Sequence, residues 1–261
     1  LPRKPSCGST GDSVSTITWA TPVFVDIEPS GCTMDVARVA ASITSRTKAI
    51  VPVHLYGNSA DMAELRNIAE RWGLLLVEDC AQAIGTTTLG QSAGSWGNAN
   101  AFSFYPTKNM GAYGDGGCVV TNDSDTAQRL RNLRNYGYEQ RDYSKELGLN
   151  SRLDEMQAAI LRAKLPSVNS WNLQRRSIAN RYHDGLKNTS AQLPHTPKYA
   201  GNSYHLFPIL VENRDQVRSR LQELEVQTVV HYPTPLHLQP ALADLEYKPG
   251  RFPNAEWACS H

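Results

Sequence analysis

The 261-residue chain contains no Cys-x-x-Cys pair; its five cysteines stand apart at Cys7, Cys32, Cys80, Cys118 and Cys259. An odd, dispersed set argues against a disulfide framework and against a zinc knuckle, and points to a reducing, cytoplasmic setting. No His/Asp/Cys spacing suggests a metal centre, so none is expected. Long apolar runs are missing as well. Leu74 to Val77 is typical of those present, far short of the ~20 residues that span a bilayer. The opening Leu1-Pro-Arg-Lys-Pro5 lacks the apolar core of a secretory signal. Basic tracts are equally scarce: 26 Lys and Arg offset 25 Asp and Glu to a net charge of +1. Neither nucleic acid nor a membrane surface is an expected partner.

What is present is an alternation of short apolar runs with amphipathic stretches. Pro22 to Ile27 reads as a buried strand, and Thr33 is a candidate cap for a helix over Met34 to Ile43. Thr47 to His54 reads as the next strand. The segment Asp61 to Trp72 places Met62, Leu65, Ile68, Ala69 and Trp72 on one face, with capping from Asn58 or Ser59 extended by Asp61 and Glu64. Gly73 is its natural stop. Leu74 to Glu78 follows as another buried strand, and strand–helix–strand in that order predicts a parallel sheet covered by helices. Ala99 to Phe104 and Gly116 to Thr121 are two further strands. Asn122 or Asp123 caps a helix running to Tyr136. Ser151-Arg-Leu-Asp154 opens a helical stretch that Pro166 interrupts and Gly185 ends. Beyond Pro194 the spacing predicts a strand (His205 to Val211), a helix (Arg214 to Leu224) and a strand (Val226 to His231). The fold class is therefore α/β, divided into an atypical segment 1–21, a large domain 22–186 and a smaller, partial α+β domain 187–261.

Open parallel sheets place ligands beyond the carboxyl ends of their strands. Asp79 ends the run that starts at Leu74, and Lys108 lies four residues beyond Phe104 in a glycine-containing loop. The phosphate-cradling Gly-x-x-x-x-Gly-Lys-Ser/Thr pattern is absent. Taken singly, Lys108 reads as a surface lysine, Asp79 as a helix cap and Gln82 as loop. Together with Ser103 they form the set that pyridoxal phosphate (PLP) chemistry demands: an amine, a carboxylate for the pyridine nitrogen and a donor for the phosphate.

Several segments match one family in order. Val77-Glu-Asp-Cys-Ala-Gln-Ala83 followed by Ala101-Phe-Ser-Phe-Tyr-Pro-Thr-Lys-Asn109 resembles the DegT-type nucleotide-sugar aminotransferases, a branch of the fold-type I PLP enzymes. So do Pro22-Val-Phe-Val-Asp26, Pro52-Val-His-Leu-Tyr-Gly57, Gly148 to Ala159 and His231-Tyr-Pro-Thr-Pro-Leu-His-Leu-Gln239. The resemblance implies that Lys108 carries PLP as a Schiff base and shuttles the proton. It also implies that Asp79 pairs with the pyridine nitrogen, that Gln82 lies near the ring's phenolic oxygen, and that Ser103 holds the phosphate. By the same resemblance Asn150 reaches the phosphate of a neighbouring subunit, so a homodimer with shared active sites is expected. L-glutamate is the implied donor and a nucleotide-linked keto sugar the acceptor. The region from His231 to Pro253 looks most like members that aminate C3 of dTDP-linked 3-keto-6-deoxyhexoses, though related UDP-sugar enzymes share much of it.

Around the sugar the expected residues are Tyr105, His231 and Tyr232, with Tyr143 from the partner subunit; a packing role for each tyrosine and a backbone contact for His231 stay open. His54, His205 and His237 are weaker candidates. Leu1 to Ala20 do not resemble the family's phosphate-binding helix start, Gly8-Ser-Thr-Gly11 is a poor substitute, and the chain reads as altered at both ends. Three other readings remain: a non-catalytic PLP-fold sensor or inactive fragment, an aminotransferase for 4-keto sugars, and a sugar dehydratase. The last is disfavoured because dehydratase relatives replace the lysine by histidine.

Overall fold

The computed structural model describes residues 20–261; Gly8 to Gly11 lie outside them. Within these residues the sheet that positions the site has four strands in the order β1 (Ala49–Ile50), β2 (Leu75–Asp79), β5 (Ala99–Ser103) and β6 (Gly117–Val120). The β1–β2 and β2–β5 pairs are parallel, with Ile50 opposite Leu76 and Asp79 opposite Ala101. β6 runs antiparallel to β5, setting Ser103 opposite Gly117. The sheet is thus mainly parallel, as the crossover pattern requires. A small sheet of β3 (Thr87–Thr88), β4 (Gln91–Ser92) and β9 (Ala200–Gly201) and a hairpin of β7 (Tyr138–Gln140) and β8 (Tyr143–Ser144) had no sequence signal.

The helices are α1 (Val36–Ser42), α2 (Met62–Trp72), α3 (Ser124–Leu133), α4 (Glu155–Lys164), α5 (Val168–Leu186), α6 (Arg214–Glu223) and α7 (Pro253–Ser260). α2 shows why this order forms. Asp61 itself is its cap and accepts from the Glu64 N–H at 3.2 Å. Gly73 ends it in the left-handed region (φ 62°), where its N–H satisfies the Ala69 and Glu70 carbonyls. The chain then enters β2 within two residues. Met62, Leu65, Ile68 and Ala69 are buried against Val39, Ile50 and Leu76, each large side chain contributing about 2 kcal/mol. Trp72 departs from the expected face and is 52% exposed, because it is the last residue of the helix and lies beyond the edge of this core. A second core of Phe104, Met110, Ala112, Leu161 and Val168 packs the loop after β5 onto α4 and α5.

Several expected elements differ. Pro22 to Ile27 is extended, but only Ile27 is bridged, to Met34. α1 is capped by Asp35, whose carboxylate accepts from Ala37, and not by Thr33. Asp123 and Asp154 cap α3 and α4, and Pro166 sits in a 3₁₀ turn between α4 and α5. His205 to Val211 forms no strand beyond one isolated bridge from Leu210 to Gln192, and Val226 to His231 forms none. A strand needs a continuous hydrogen-bonding neighbour; the first segment has only scattered main-chain bonds, from Leu206 to Tyr56, between Leu210 and Gln192 and from Val211 to His261, and the second is paired with no strand among the described residues. The 202–205 segment is held instead by α5: the Arg175 and Arg176 guanidinium groups donate to the carbonyls of Tyr204 and Asn202 at 3.0 and 2.8 Å. No helix among the described residues is long and apolar enough to cross a membrane.

Candidate active site

Alternation along β2 puts Glu78 and Asp79 on opposite faces of the sheet. Glu78 is fully buried. It accepts from His54 Nε2 at 3.0 Å and from the backbone N–H groups of Gly94, Trp96 and Gly97 at 2.7–2.8 Å. Burial pushes its carboxyl up, but the His54 bond and the Gly94 and Gly97 amides outweigh it and hold the group below the usual carboxylate range. His54 Nδ1 accepts from the Ala60 N–H at 3.2 Å, so the ring proton lies on Nε2, facing Glu78. His54, Glu78 and Cys80 place ligand-type atoms within 4.8 Å of one another, a grouping that sequence spacing did not reveal. Both His54 nitrogens and both Glu78 oxygens are already engaged, and burial pushes the Cys80 thiol up. The cluster therefore works as an internal brace.

On the other face Asp79 is buried, and its Oδ1 accepts from the Ala81 N–H at 3.0 Å. No partner among the described residues occupies its second oxygen. Lys108 follows β5 in a turn, its backbone N–H donating to the Tyr105 carbonyl at 2.9 Å. Its amine is half-buried and makes no hydrogen bond among the described residues. Burial lowers its pKa and the nearby Asp79 charge partly restores it. The loop is anchored one residue on, at buried Asn109. Its amide nitrogen donates to Asn172 Oδ1 at 2.8 Å and the Ser203 carbonyl at 3.0 Å, and its Oδ1 accepts from His205 Nδ1 at 3.3 Å. Burial, with the charges of Lys108, Arg175 and His231, pushes His205 down to about 4.

Ser103 Oγ accepts from the Tyr105 N–H at 3.2 Å, leaving its own proton free to donate. Gln82 Oε1 accepts from the Tyr56 N–H at 2.6 Å, so its NH₂ points outward and donates to the Tyr232 hydroxyl at 3.1 Å. Tyr105 and Tyr232 are exposed, and the His231 carbonyl accepts from the Tyr56 hydroxyl at 2.5 Å. Asn150, exposed, binds Arg152, and Tyr143 is 60% exposed on its hairpin. Among the described residues neither bonds to the Lys108 group. His237 pairs with Glu256 at 3.0 Å, away from this set. Tyr56, Glu78, Asn109 and Asn172 were given no role by sequence reasoning; the first three lie in segments that carry the family resemblance, and Asn172 had no signal.

These donors and acceptors suit PLP. An ionised ring N–H needs a buried acceptor, and Asp79 has a free oxygen. The phenolic oxygen needs a donor, which the oriented Gln82 NH₂ supplies. The aldehyde needs an uncharged amine, and the phosphate needs a hydroxyl such as that of Ser103.

Comparison with known proteins agrees. The chain is 52% identical over 237 residues to the erythromycin biosynthesis sensory transduction protein EryC1 of Saccharopolyspora erythraea, covering 90% of this chain and 65% of the relative. It is 47% identical to dTDP-3-amino-3,4,6-trideoxy-alpha-D-glucose transaminase of Streptomyces venezuelae, covering 92% and 63%. It thus spans less than two thirds of the length of these relatives. The crystal structure of S. venezuelae DesV in complex with a ketimine intermediate superposes with a TM-score of 0.91 at 45% identity, covering 95% of this chain and 67% of that one. The family model for DegT/DnrJ/EryC1/StrS aminotransferases matches residues 9–261, and the chain belongs to that family.

Proposed function

We propose that the protein transfers an amino group from L-glutamate to a nucleotide-linked keto sugar, a dTDP-3-keto-6-deoxyhexose, using PLP carried on Lys108. The observation that supports this best is the half-buried amine of Lys108, its pKa lowered by burial, within reach of the charge of the buried Asp79 carboxylate. Bound PLP supplies an electron sink for the pair left when a C–H bond breaks. With the cofactor bound, Asp79 would hold the ring nitrogen protonated, Gln82 would donate to the phenolic oxygen, and Ser103 would donate to the phosphate. Lys108 Nζ removes the proton from the α-carbon of the donor and, in the reverse sense, delivers one to C3 of the sugar. A depressed pKa leaves more of the amine in the form that can accept that proton.

His231, Tyr232 and Tyr105 line the sugar's side of this arrangement. Asn150 and Tyr143, which do not meet the Lys108 group within the chain, fit a homodimer in which each subunit completes its neighbour's site. The division into a large unit to residue 186 and a smaller one beyond it belongs to the same reading.

The test is to add PLP and then L-glutamate to the purified protein, following the absorbance of the lysine-bound cofactor and the appearance of 2-oxoglutarate. A cofactor band that glutamate does not change, or that persists in Lys108→Ala, overturns the proposal. A panel of 3-keto and 4-keto nucleotide sugars then assigns the acceptor.

A further inference from the structure

Tyr56 is a buried residue in the left-handed region (φ 61°, ψ 7°), a conformation that a bulky L-residue adopts only when its surroundings impose it. All of its polar groups are engaged. The N–H donates to Gln82 Oε1 at 2.6 Å, the carbonyl accepts from the Leu206 N–H at 3.3 Å, and the hydroxyl donates to the His231 carbonyl at 2.5 Å. Gln82 in turn donates to the Tyr232 hydroxyl at 3.1 Å. Since His231 and Tyr232 are joined by a peptide bond, the contacts close a ring: Tyr56, His231, Tyr232, Gln82 and back to Tyr56. The ring joins points 26 and 175 residues from Tyr56 along the chain.

We infer that Tyr56 is a positioning residue that locks the His231–Tyr232 loop to the Gln82 amide, giving cofactor-ring contact and sugar contact a single support. Two features make the lock work. The Tyr56 N–H fixes which end of the Gln82 amide faces outward, because an N–H can only meet the oxygen. The Tyr56 hydroxyl sits in a buried setting that keeps it protonated, so it remains a donor to a loop that no strand holds. The link to sugar and cofactor rests on the function proposed above; the mechanical link does not.

Tyr56→Phe separates these parts, since it deletes the hydroxyl and keeps both ring and N–H. The first measurement is backbone NMR relaxation of Val229 to Tyr232 in the protein without substrate. The expected result is a fall in order parameter from near about 0.85 to below about 0.6, with β2 unchanged. The second is steady-state kinetics: KM for the keto sugar rises about 3- to 10-fold, the range that one hydrogen bond accounts for, while the glutamate half-reaction is unchanged. Tyr232→Phe, which opens the ring at another corner, loosens the same amides. Unchanged order parameters in Tyr56→Phe overturn the lock. So does a loosened loop with equal losses for sugar and glutamate, because the lock then has no bearing on the sugar. A protein without transaminase activity defeats the proposed function alone, and the relaxation data still decide the lock.

Discussion

The backbone N–H of His54 donates to the carbonyl of Asp79 at 3.0 Å, while the His54 side chain bonds the neighbouring Glu78 at 3.0 Å. One residue four positions past the end of β1 thus grips two consecutive residues of β2, by main chain on one and by side chain on the other. The carboxylate proposed to meet the cofactor is held from behind.

Glu78→Gln tests that grip. The amide offers one oxygen to donors that now share two, and its NH₂ faces backbone N–H groups. A loss of about 3 kcal/mol is expected, read as a lower urea midpoint with an unchanged slope.

Asp79→Asn removes the charge that raises the Lys108 pKa. The pH midpoint for labelling of Lys108 by an amine-selective reagent, measured without cofactor, should move further down. An upward movement would show that Asp79 does not face the amine. Lys108→Ala should lower transamination by at least about 10²–10⁴-fold, the usual worth of a positioned acid–base group.

His205 should give acid sensitivity. Its pKa is about 4 in the folded chain against 6.5 ordinarily, so between these values the unfolded state binds the extra proton and stability falls as the pH drops. The loss grows from about pH 6.5, amounts to about 3 kcal/mol once the pH is below the folded value, and then stops growing. Thermal melts across this range should be flatter for His205→Gln than for the wild type.

Gly57 has φ 93°, and a Cβ there would lie 2.6 Å from Ser203 Oγ and 2.8 Å from the His205 N atom. Gly57→Ala should cost at least about 2 kcal/mol, checked by chemical denaturation.

The parts legible in the sequence are those whose signal is local. α2 followed from an apolar spacing closed by Gly73, β2 from an apolar run directly after it, and the placing of Asp79 at one strand end and Lys108 after another from those same runs. What escaped depends on residues distant in sequence. The left-handed Tyr56 is explained by Gln82 and His231, and the anchoring of Asn109 by Asn172 and Ser203; no periodicity encodes such bonds. The strands expected at Pro22 to Ile27 and Val226 to His231 had the right composition, but composition does not supply a neighbour to pair with. Trp72 had the right spacing and stood one turn too far along for the core to reach it.

The two faces of β2 impose a rule of parity on this chain. Because Glu78 and Asp79 point opposite ways, inserting or deleting one residue between the Gly73 cap and Glu78 would present the brace to the site and turn the site's carboxylate towards the brace. An even-numbered change there keeps each carboxylate on its own face but carries both about 6–7 Å or more along the strand, so neither parity of change leaves the pair as it stands.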